Sequence, residues 1–229
     1  MTQQERKELL ELYKDLRVSD VRDGMDWCGM QHYGSMTTDV RPLFRTHAVG
    51  ISRTARYLPY QGPNIDIRGD EYTAWVKEYY KNICHYPWND VEDGDFIVID
   101  ASGVNSGLLG SANSLVGISK GARGFVTNGA VRDTDELILE KVPVWTKTIT
   151  QCMVQVRLKL HEKNVPVAVN GVAVYPGDVV VADGDGVIVV PQQIAFDVAK
   201  YAHQERNNDR IERKKLYGLA GLQPDNSVL

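Results

Sequence analysis

The sequence predicts a layered α/β fold, because segments with helically spaced apolar residues alternate along the chain with short apolar strands. Residues 96–100 (FIVID) form an apolar run that is typical of a buried central strand. Residues 165–191 are rich in β-branched side chains, which favours a series of short strands. Tight-turn sequences interrupt that series at Asn170-Gly171, at residues 176–178 (PGD) and at residues 183–186 (DGDG).

The remaining elements follow from local patterns. Apolar residues at helical spacing predict an amphipathic helix over residues 6–16, and a Ser19 or Asp20 cap predicts a second short helix through Met25 and Trp27. Further predictions are a strand at 48–59, helices at 72–83 and 135–140, a strand at 143–148 and a long helix at 192–216. No repeat or linker divides the chain, so residues 1–229 are expected to form a single domain, with residues 218–229 as a loose or partner-bound tail.

Composition narrows the classes of function. A formal net charge of −4 does not indicate the basic surface by which proteins bind nucleic acid, so nucleic-acid binding is not expected. Apolar runs are too short for a membrane span, and the charged N-terminus lacks the apolar core of a signal peptide, so a cytoplasmic location is expected. The three cysteines and five histidines show no paired metal spacing, which argues against a zinc site.

Residues 102–136 combine a glycine-flanked loop, a short helix, an apolar strand and the dipeptide Arg132-Asp133. Free backbone N–H groups at the start of a helix can hold an anion. Arg132 can add a cationic fork and Asp133 a hard oxygen ligand. The stretch therefore predicts a site for a carboxylate-bearing substrate and a divalent cation, although a glycine-rich turn and an ordinary surface pair remain alternatives. The glycine spacing matches neither a dinucleotide loop nor a phosphate loop.

Three segments resemble one known family: LLGSANSL, then GARGFVTNGAVRDTDE, then VAVNGVAVYPGDVVVADGDGVIVVP. They are similar to the 4-hydroxy-4-methyl-2-oxoglutarate aldolase / regulator of ribonuclease activity A (RraA-like) family, most strongly over residues 94–191. The resemblance implies an αββα sandwich of swivelling β/β/α topology. It also implies a homotrimer or a homohexamer, with active sites at subunit interfaces.

The enzymes of this family are lyases that depend on Mg or Mn. The resemblance therefore implies retro-aldol cleavage of a 4-hydroxy-2-oxo acid to pyruvate, oxaloacetate decarboxylation, or both. Asp133 would be the metal ligand, Arg132 would contact the C2 oxygen of the substrate, and Glu205 of a neighbouring subunit would supply a second carboxylate, with Asp209 or Glu212 as alternatives. The substrate carboxylate would be held by backbone N–H groups of Gly110, Ser111, Ala112, Asn113, Ser114 and Leu115.

One position departs from the family pattern. The aldolases carry an acidic residue directly after the glycine of the LLG turn, where it orients the waters of the metal, and this chain has Ser111. A hydroxyl brings no negative charge. Two alternatives therefore stand beside the aldolase prediction: a metal-dependent enzyme for another 2-oxo or sugar-acid substrate, and a non-enzymatic regulator that binds a ribonuclease or another protein.

Overall fold

The computed structural model describes residues 1–228. Its helices are α1 Gln3–Tyr13, α2 Val18–Trp27, α3 Gly69–Asn82, α4 Ser111–Ser119, α5 Thr134–Leu139 and α6 Ala195–Leu219. Its strands are β1 Arg41–Pro42, β2 Ala48–Pro59, β3 Asp95–Asp100, β4 Gly107–Leu109, β5 Ala122–Thr127, β6 Ala130–Val131, β7 Val144–Thr146, β8 Leu158–Lys163, β9 Val167–Val169, β10 Val172–Val174, β11 Val179–Asp183 and β12 Gly186–Val190. Within residues 1–228, no helix is both long and apolar enough to cross a membrane.

The main sheet is built around the long strand β2. The strand order is β1-β7-β5-β3-β2-β11-β12, and β8 pairs with the second half of β2. β2, β3, β5 and β7 run parallel to one another, whereas β1, β8, β11 and β12 add antiparallel partners. The tight turns predicted from Asn170-Gly171 and from the DGDG sequence join β9 to β10 and β11 to β12.

Three apolar cores separate four layers. The first lies between helices α3–α5 and one face of β3, β5 and β7; its members include Tyr79, Ile97, Ile99, Phe125 and Leu137. The second lies between the opposite face of those strands and one face of β11 and β12; its members include Phe96, Val98, Val126, Val180 and Val189. The third lies between the far face of β11 and β12 and helices α1, α2 and α6; its members include Leu9, Met25, Val181, Ile188 and Val198. This order confirms the predicted αββα sandwich.

One predicted strand is wrong in its extent. The apolar run GFVTNGAV reads as a single strand, but β5 ends at Thr127 and β6 begins at Ala130. Between them, the side chain of Asn128 accepts a hydrogen bond from the backbone N–H of Ala101 at 2.6 Å. Gly129 passes so close to Ala101 that an added Cβ would lie 2.7 Å from the Ala101 side chain. The chain therefore leaves the main sheet here, and β6 pairs with β4 instead.

A buried ion-pair network attaches α1 to the sheet. Asp95 is 1% exposed, and its carboxylate accepts hydrogen bonds from Arg6 at 2.8 Å, from Arg53 at 2.7 Å and from the backbone N–H of Glu92 at 2.8 Å. Arg6 is itself buried. Removing one partner of such a network leaves an uncompensated charge out of water.

We therefore expect Asp95→Ala to lower the free energy of unfolding by about 3–5 kcal/mol, measured by urea denaturation. Asp93→Ala is the matched control, because Asp93 is exposed and its partner Arg123 is a surface arginine, so we expect a loss below about 1 kcal/mol. Equal losses in the two variants would contradict the role given to Asp95.

Candidate active site

A short parallel strand pair brings the two halves of the predicted site together. β4 pairs with β6, with Gly107 opposite Ala130 and Leu109 opposite Val131. β4 leads directly into the N-terminus of α4, and β6 leads into Arg132-Asp133 and α5. The carboxyl ends of parallel strands meet at one edge of a sheet, so the helix start that is predicted to bind an anion and the Arg-Asp pair become neighbours.

The backbone of Asp133 aims its carboxylate at the start of α4. Asp133 has the left-handed conformation, with φ 55° and ψ 44°, which Asp and Asn adopt more readily than most residues. The carboxylate lies against Gly110, where an added Cβ would be 2.5 Å from Oδ2 of Asp133. Gly110 is therefore needed for space rather than for conformational freedom.

Arg132 lies beside the same carboxylate. Its Nε donates a hydrogen bond to Oδ1 of Asp133 at 3.0 Å, and both side chains are about one-third exposed. The aliphatic stem of Arg132 crosses Gly107, where an added Cβ would lie 2.8 Å from Cγ and Cδ of the arginine. Two glycines thus make room for the pair. Among residues 1–228 the other guanidinium N–H groups of Arg132 have no acceptor, so they can donate to a ligand.

The first turn of α4 places backbone N–H donors beside this carboxylate and guanidinium. Gly110 is the N-cap residue and carries no side chain that could accept from the first N–H groups of the helix. The backbone N–H of Ser114 donates to the carbonyl oxygen of Gly110 at 3.1 Å, so within residues 1–228 the free donors of this turn are the N–H groups of Ser111, Ala112 and Asn113. The Ser114 side chain is buried, and its Oγ has no hydrogen-bond partner among residues 1–228.

Ser111 stands where the family resemblance leads one to expect an acid, and it contacts one. Its hydroxyl lies 2.8 Å from Oε1 and 2.9 Å from Oε2 of Glu140, the residue that ends α5. A carboxylate is therefore present beside the first turn of α4, although it comes from another element. Nothing in the neighbourhood of Ser111 in the sequence indicates Glu140.

Gly110, Ala112, Asn113 and the Arg132-Asp133 pair open on a cavity of about 560 Å³, within the range of roughly 300–1,000 Å³ that is usual for small-molecule sites. Of the predicted site residues, the cavity is lined by Gly110, Ala112, Asn113, Arg132 and Asp133. Sequence reasoning missed the other lining residues, which are Tyr80, His85, Tyr86, Trp88, Asn89, Gly107, Val116, Lys120, Met153 and Val154. The aromatic density of residues 79–88 (YYKNICHYPW) is a signal that could have indicated Tyr80, Tyr86 and Trp88, whereas the others carry none.

A second cavity of similar volume lies beside α1 and is a weaker candidate. Its lining includes Lys14 and Arg123, but Lys14 pairs with Glu11 and Arg123 pairs with Asp93. Two of the three lysine and arginine side chains that line it, Lys14 and Arg123, are therefore already paired, whereas the α4 cavity combines helix N–H donors with an exposed Arg-Asp pair.

Glu205 does not lie in the α4 cavity of its own chain. It is on α6, where its carboxylate accepts a hydrogen bond from the indole N–H of Trp27 at 3.1 Å. Asp23 is close by, and burial, with the charges of Glu205, Asp26 and Asp20, raises the pKa of the Asp23 carboxyl. The role of Glu205 thus remains a prediction that requires a second subunit. Trp27 is 61% exposed and lines no part of the cavity either.

The donor set around Asp133 fits one class of metal. Among residues 1–228, no group of three or more His, Cys, Asp or Glu side chains is placed to hold a metal ion. Zinc sites normally require three or four such ligands. Mg²⁺ instead keeps several waters and is commonly held by one or two carboxylates together with oxygens of the substrate. The single carboxylate of Asp133 is compatible with that second arrangement.

Comparison with known proteins gives the family. The model of the RraA-like family (Aldolase/RraA) matches residues 18–189. A protein of Halalkalibacterium halodurans named "Putative 4-hydroxy-4-methyl-2-oxoglutarate aldolase" is 27% identical over 202 residues, which cover 87% of this chain and 82% of that protein. Protein DlpA of Legionella pneumophila is 28% identical over 185 residues, which cover 80% of this chain and 27% of that protein.

A solved structure from the same family has a similar fold. RraAS2 of Streptomyces coelicolor, described as an unusual member of the RNase ES inhibitor RraA protein family, superposes with a TM-score of 0.71 at 25% sequence identity. The superposition covers 90% of this chain and 96% of that one. The family match includes both strands of the β4–β6 pair, the start of α4 and the Arg132-Asp133 pair. The chain belongs to the RraA-like (Aldolase/RraA) family.

Proposed function

We propose that this protein is a divalent-metal-dependent carbon–carbon lyase that acts on a 2-oxo acid. The reaction is retro-aldol cleavage of a 4-hydroxy-2-oxo acid to pyruvate and a second carbonyl compound, with oxaloacetate decarboxylation as a related activity. One observation carries the proposal: Arg132 and Asp133 face the free N–H groups of α4 across a single cavity. The name of the Halalkalibacterium protein supports the same class of reaction.

Each part of the cavity suits one part of a 2-oxo acid. The N–H groups of Ser111, Ala112 and Asn113 bind the C1 carboxylate, because helix N-termini favour anions. The guanidinium of Arg132 donates to the C2 oxygen, where negative charge develops as the carbon–carbon bond breaks. Asp133 would hold the cation, Mg or Mn, which when bound would supply Lewis-acid stabilisation of that developing charge.

Family resemblance extends the proposal to an assembly. A homotrimer or homohexamer would bring Glu205 of a neighbouring chain towards the α4 cavity. Glu205 is available for this role, because it lies on the surface helix α6 and its protein partner is a single indole N–H. Within one chain, Glu140 is the carboxylate nearest to Ser111, at 2.8 Å.

The test is metal-dependent release of pyruvate. Purified protein is mixed with Mg or Mn and either oxaloacetate or a 4-hydroxy-2-oxo acid, and pyruvate is followed with time. We expect release that stops when the metal is chelated and resumes when it is restored. The proposal would be contradicted if no pyruvate is released, or if the rate of release is the same with and without the metal.

The similarity to RraAS2 keeps a protein-binding regulator as the second candidate, since RraAS2 is assigned to a family of RNase ES inhibitors. A regulator of that kind binds through its outer surface and has no need of metal. Capture of a ribonuclease by a protein that releases no pyruvate under any metal would favour the regulator.

Gly110→Ala tests the space beside Asp133. The φ of Gly110 is −146°, which alanine adopts without strain, so the added methyl acts only by displacing Oδ2 of Asp133. We expect pyruvate release to fall by at least about tenfold. The melting temperature should stay close to that of the parent.

Gly218→Ala is the matched control. An added Cβ there meets nothing within 4 Å. Because Gly218 lies inside α6, the change should stabilise the protein by up to about 1 kcal/mol and leave pyruvate release unaltered. Full activity in Gly110→Ala would show that the Asp133 carboxylate does not need its observed position.

A further inference from the structure

Two tyrosines line the cavity beside Asp133, and their hydroxyl groups are bonded differently. The hydroxyl of Tyr86 donates to the carbonyl oxygen of Leu108 at 2.9 Å, so its proton already has an acceptor. The hydroxyl of Tyr80 instead accepts a hydrogen bond, from Nε2 of the Gln155 side chain at 2.8 Å. Among residues 1–228, the proton of the Tyr80 hydroxyl has no acceptor. Tyr80 can therefore donate its proton to a ligand, whereas the proton of Tyr86 is already used.

The side-chain amide of Gln155 holds this hydroxyl in place. Gln155 is 3% exposed, and it directly follows Met153 and Val154, which line the cavity. Its Oε1 has no hydrogen-bond partner among residues 1–228. If the amide were turned round, its buried NH₂ group would lose its acceptor, and an unpaired buried N–H is rarer than an unpaired carbonyl oxygen. The amide therefore donates to Tyr80, and the phenol keeps its own proton for another partner.

The Tyr80 hydroxyl also lies near the guanidinium of Arg132. Burial and the neighbouring Cys84 raise the pKa of the Tyr80 phenol, and the positive charge of Arg132 acts in the opposite direction. A charge shifts a pKa appreciably only at short range, so the hydroxyl and the guanidinium are neighbours. The phenol is uncharged at neutral pH and carries its proton. A phenolate formed by loss of that proton would have the Arg132 cation and the Gln155 N–H beside it.

Both reactions of the proposed function need a proton at the same carbon. Retro-aldol cleavage breaks the bond between C3 and C4, and decarboxylation of oxaloacetate breaks the bond between C3 and the departing carboxylate. In each reaction the electron pair of the broken bond stays on C3, which gives the enolate of pyruvate. Pyruvate forms only when C3 then takes up a proton. Because the proposed contact of Arg132 is with the C2 oxygen, two bonds from C3, a donor close to Arg132 is well placed to supply that proton.

We infer that Tyr80 is the catalytic residue that donates a proton to C3 of the pyruvate enolate. This inference rests on the proposed function and adds a residue to it. The O–H bond of Tyr80 breaks, its proton forms the new C3–H bond, and the electron pair stays on the phenolic oxygen. An enolate carbon is a stronger base than a phenolate, so this transfer is favourable. The phenolate then regains a proton, which comes from the C4 hydroxyl in retro-aldol cleavage and from water in decarboxylation.

Exchange of the methyl protons of pyruvate tests this role without cleavage of a carbon–carbon bond. In D₂O, the Mg-loaded protein removes a proton from C3 of pyruvate and returns a deuteron, and proton NMR follows the loss of the methyl signal. We expect Tyr80→Phe to lower the exchange rate at least about a hundredfold. Its Kd for pyruvate, from titration calorimetry, should stay close to that of the parent. Phenylalanine keeps the ring that stacks on Tyr86, so the variant should fold like the parent. An unchanged exchange rate overturns the inference.

Tyr86→Phe is the matched comparison, because it removes the other tyrosine hydroxyl of the cavity. The proton of that hydroxyl is bound to Leu108, so its loss should lower the free energy of unfolding by about 1 kcal/mol. The exchange rate should remain within about tenfold of the parent rate. Equal losses of exchange in Tyr80→Phe and Tyr86→Phe overturn the inference.

Two further side chains that line the cavity, those of His85 and Lys120, can also carry a proton. His85→Gln and Lys120→Met remove these alternative donors one at a time. We expect both variants to exchange pyruvate protons much faster than Tyr80→Phe does. A loss of exchange in either variant that equals or exceeds the loss in Tyr80→Phe overturns the inference.

Comparison of exchange with pyruvate release separates the inference from the proposed function. If the parent exchanges pyruvate protons and Tyr80→Phe does not, but neither oxaloacetate nor a 4-hydroxy-2-oxo acid releases pyruvate, the role of Tyr80 stands and the lyase proposal fails. If the parent releases pyruvate and Tyr80→Phe exchanges and releases it at the parent rate, the lyase proposal stands and the inference fails. If the parent neither exchanges nor releases, both fail.

Discussion

The Asp133→Asn variant is expected to fold like the parent and to release no measurable pyruvate. Asparagine has the same size as aspartate and also tolerates the left-handed backbone of this position, so the fold has no reason to change. What is lost is the negative charge that the proposed cation requires. Because such a cation contributes several kcal/mol to the transition state, the rate should fall by about a thousandfold or more.

Two readouts make this result specific. Titration calorimetry should show that Asp133→Asn no longer binds Mg or Mn in the millimolar range or below. Asp135→Asn, which removes an exposed carboxylate two residues away in the first turn of α5, should keep both metal binding and activity. An Asp133→Asn protein as active as its parent would remove the basis of the lyase proposal.

Asp133→Ala adds a second effect. Alanine in the left-handed conformation costs about 1–2 kcal/mol, so this variant should melt at a lower temperature than Asp133→Asn while showing the same loss of activity. The difference in melting temperature between the two variants measures the backbone strain and separates it from the chemistry.

Arg132→Ala has the second-largest expected effect. Loss of a donor that stabilises developing charge costs about a hundredfold to a thousandfold in kcat/KM. Metal binding should be retained, because Arg132 donates to Asp133 without being a ligand itself. Arg132→Lys should recover part of the loss, since it restores the charge but not the planar fork.

The matched control for Arg132 is Arg123→Ala. Arg123 is another exposed arginine paired with a neighbouring aspartate, Asp93, and it lies outside the α4 cavity. Steady-state kinetics of the three variants should show a loss only at position 132. An Arg132→Ala protein that cleaves substrate normally but binds it weakly would assign the arginine to ground-state binding alone.

Much of the fold was predictable because its signals are local. The helical spacing of residues 6–16, the apolar strand at 96–100 and the Asn170-Gly171 turn each depend on residues that are adjacent in sequence, and each element is present. The strand β8 (Leu158–Lys163) was not predicted, since its burial comes from pairing with β2 and its own pattern is mostly polar. The break between β5 and β6 was missed for a similar reason: it depends on contacts of Asn128 and Gly129 with Ala101.

The candidate site likewise contains some residues that local sequence patterns predict and others that only the fold brings together. Gly110, Arg132 and Asp133 stand in sequence patterns that indicate an anion site beside a cation, and the structure brings them to one cavity. Glu140 and Met153 are brought to the neighbourhood of α4 by the packing of α5 and of the segment after β7, and no local pattern marks them. Of the predicted N–H donors, Ser111, Ser114 and Leu115 do not line the cavity, and the Ser114 N–H is already bonded to Gly110.

By itself the sequence determined the α/β class, the tight turns, the family and the Arg132-Asp133 pair, because propensity, periodicity and turn chemistry act over a few residues. Only the tertiary structure decided what surrounds that pair. The parallel pairing of β4 with β6 places Asp133 against Gly110. The packing of residues 80–88 beside α4 lines the cavity with three aromatic side chains, Tyr80, Tyr86 and Trp88. Those contacts join residues that are far apart along the chain. A residue that is buried by such a distant segment has no pattern in its own neighbouring sequence that predicts the contact.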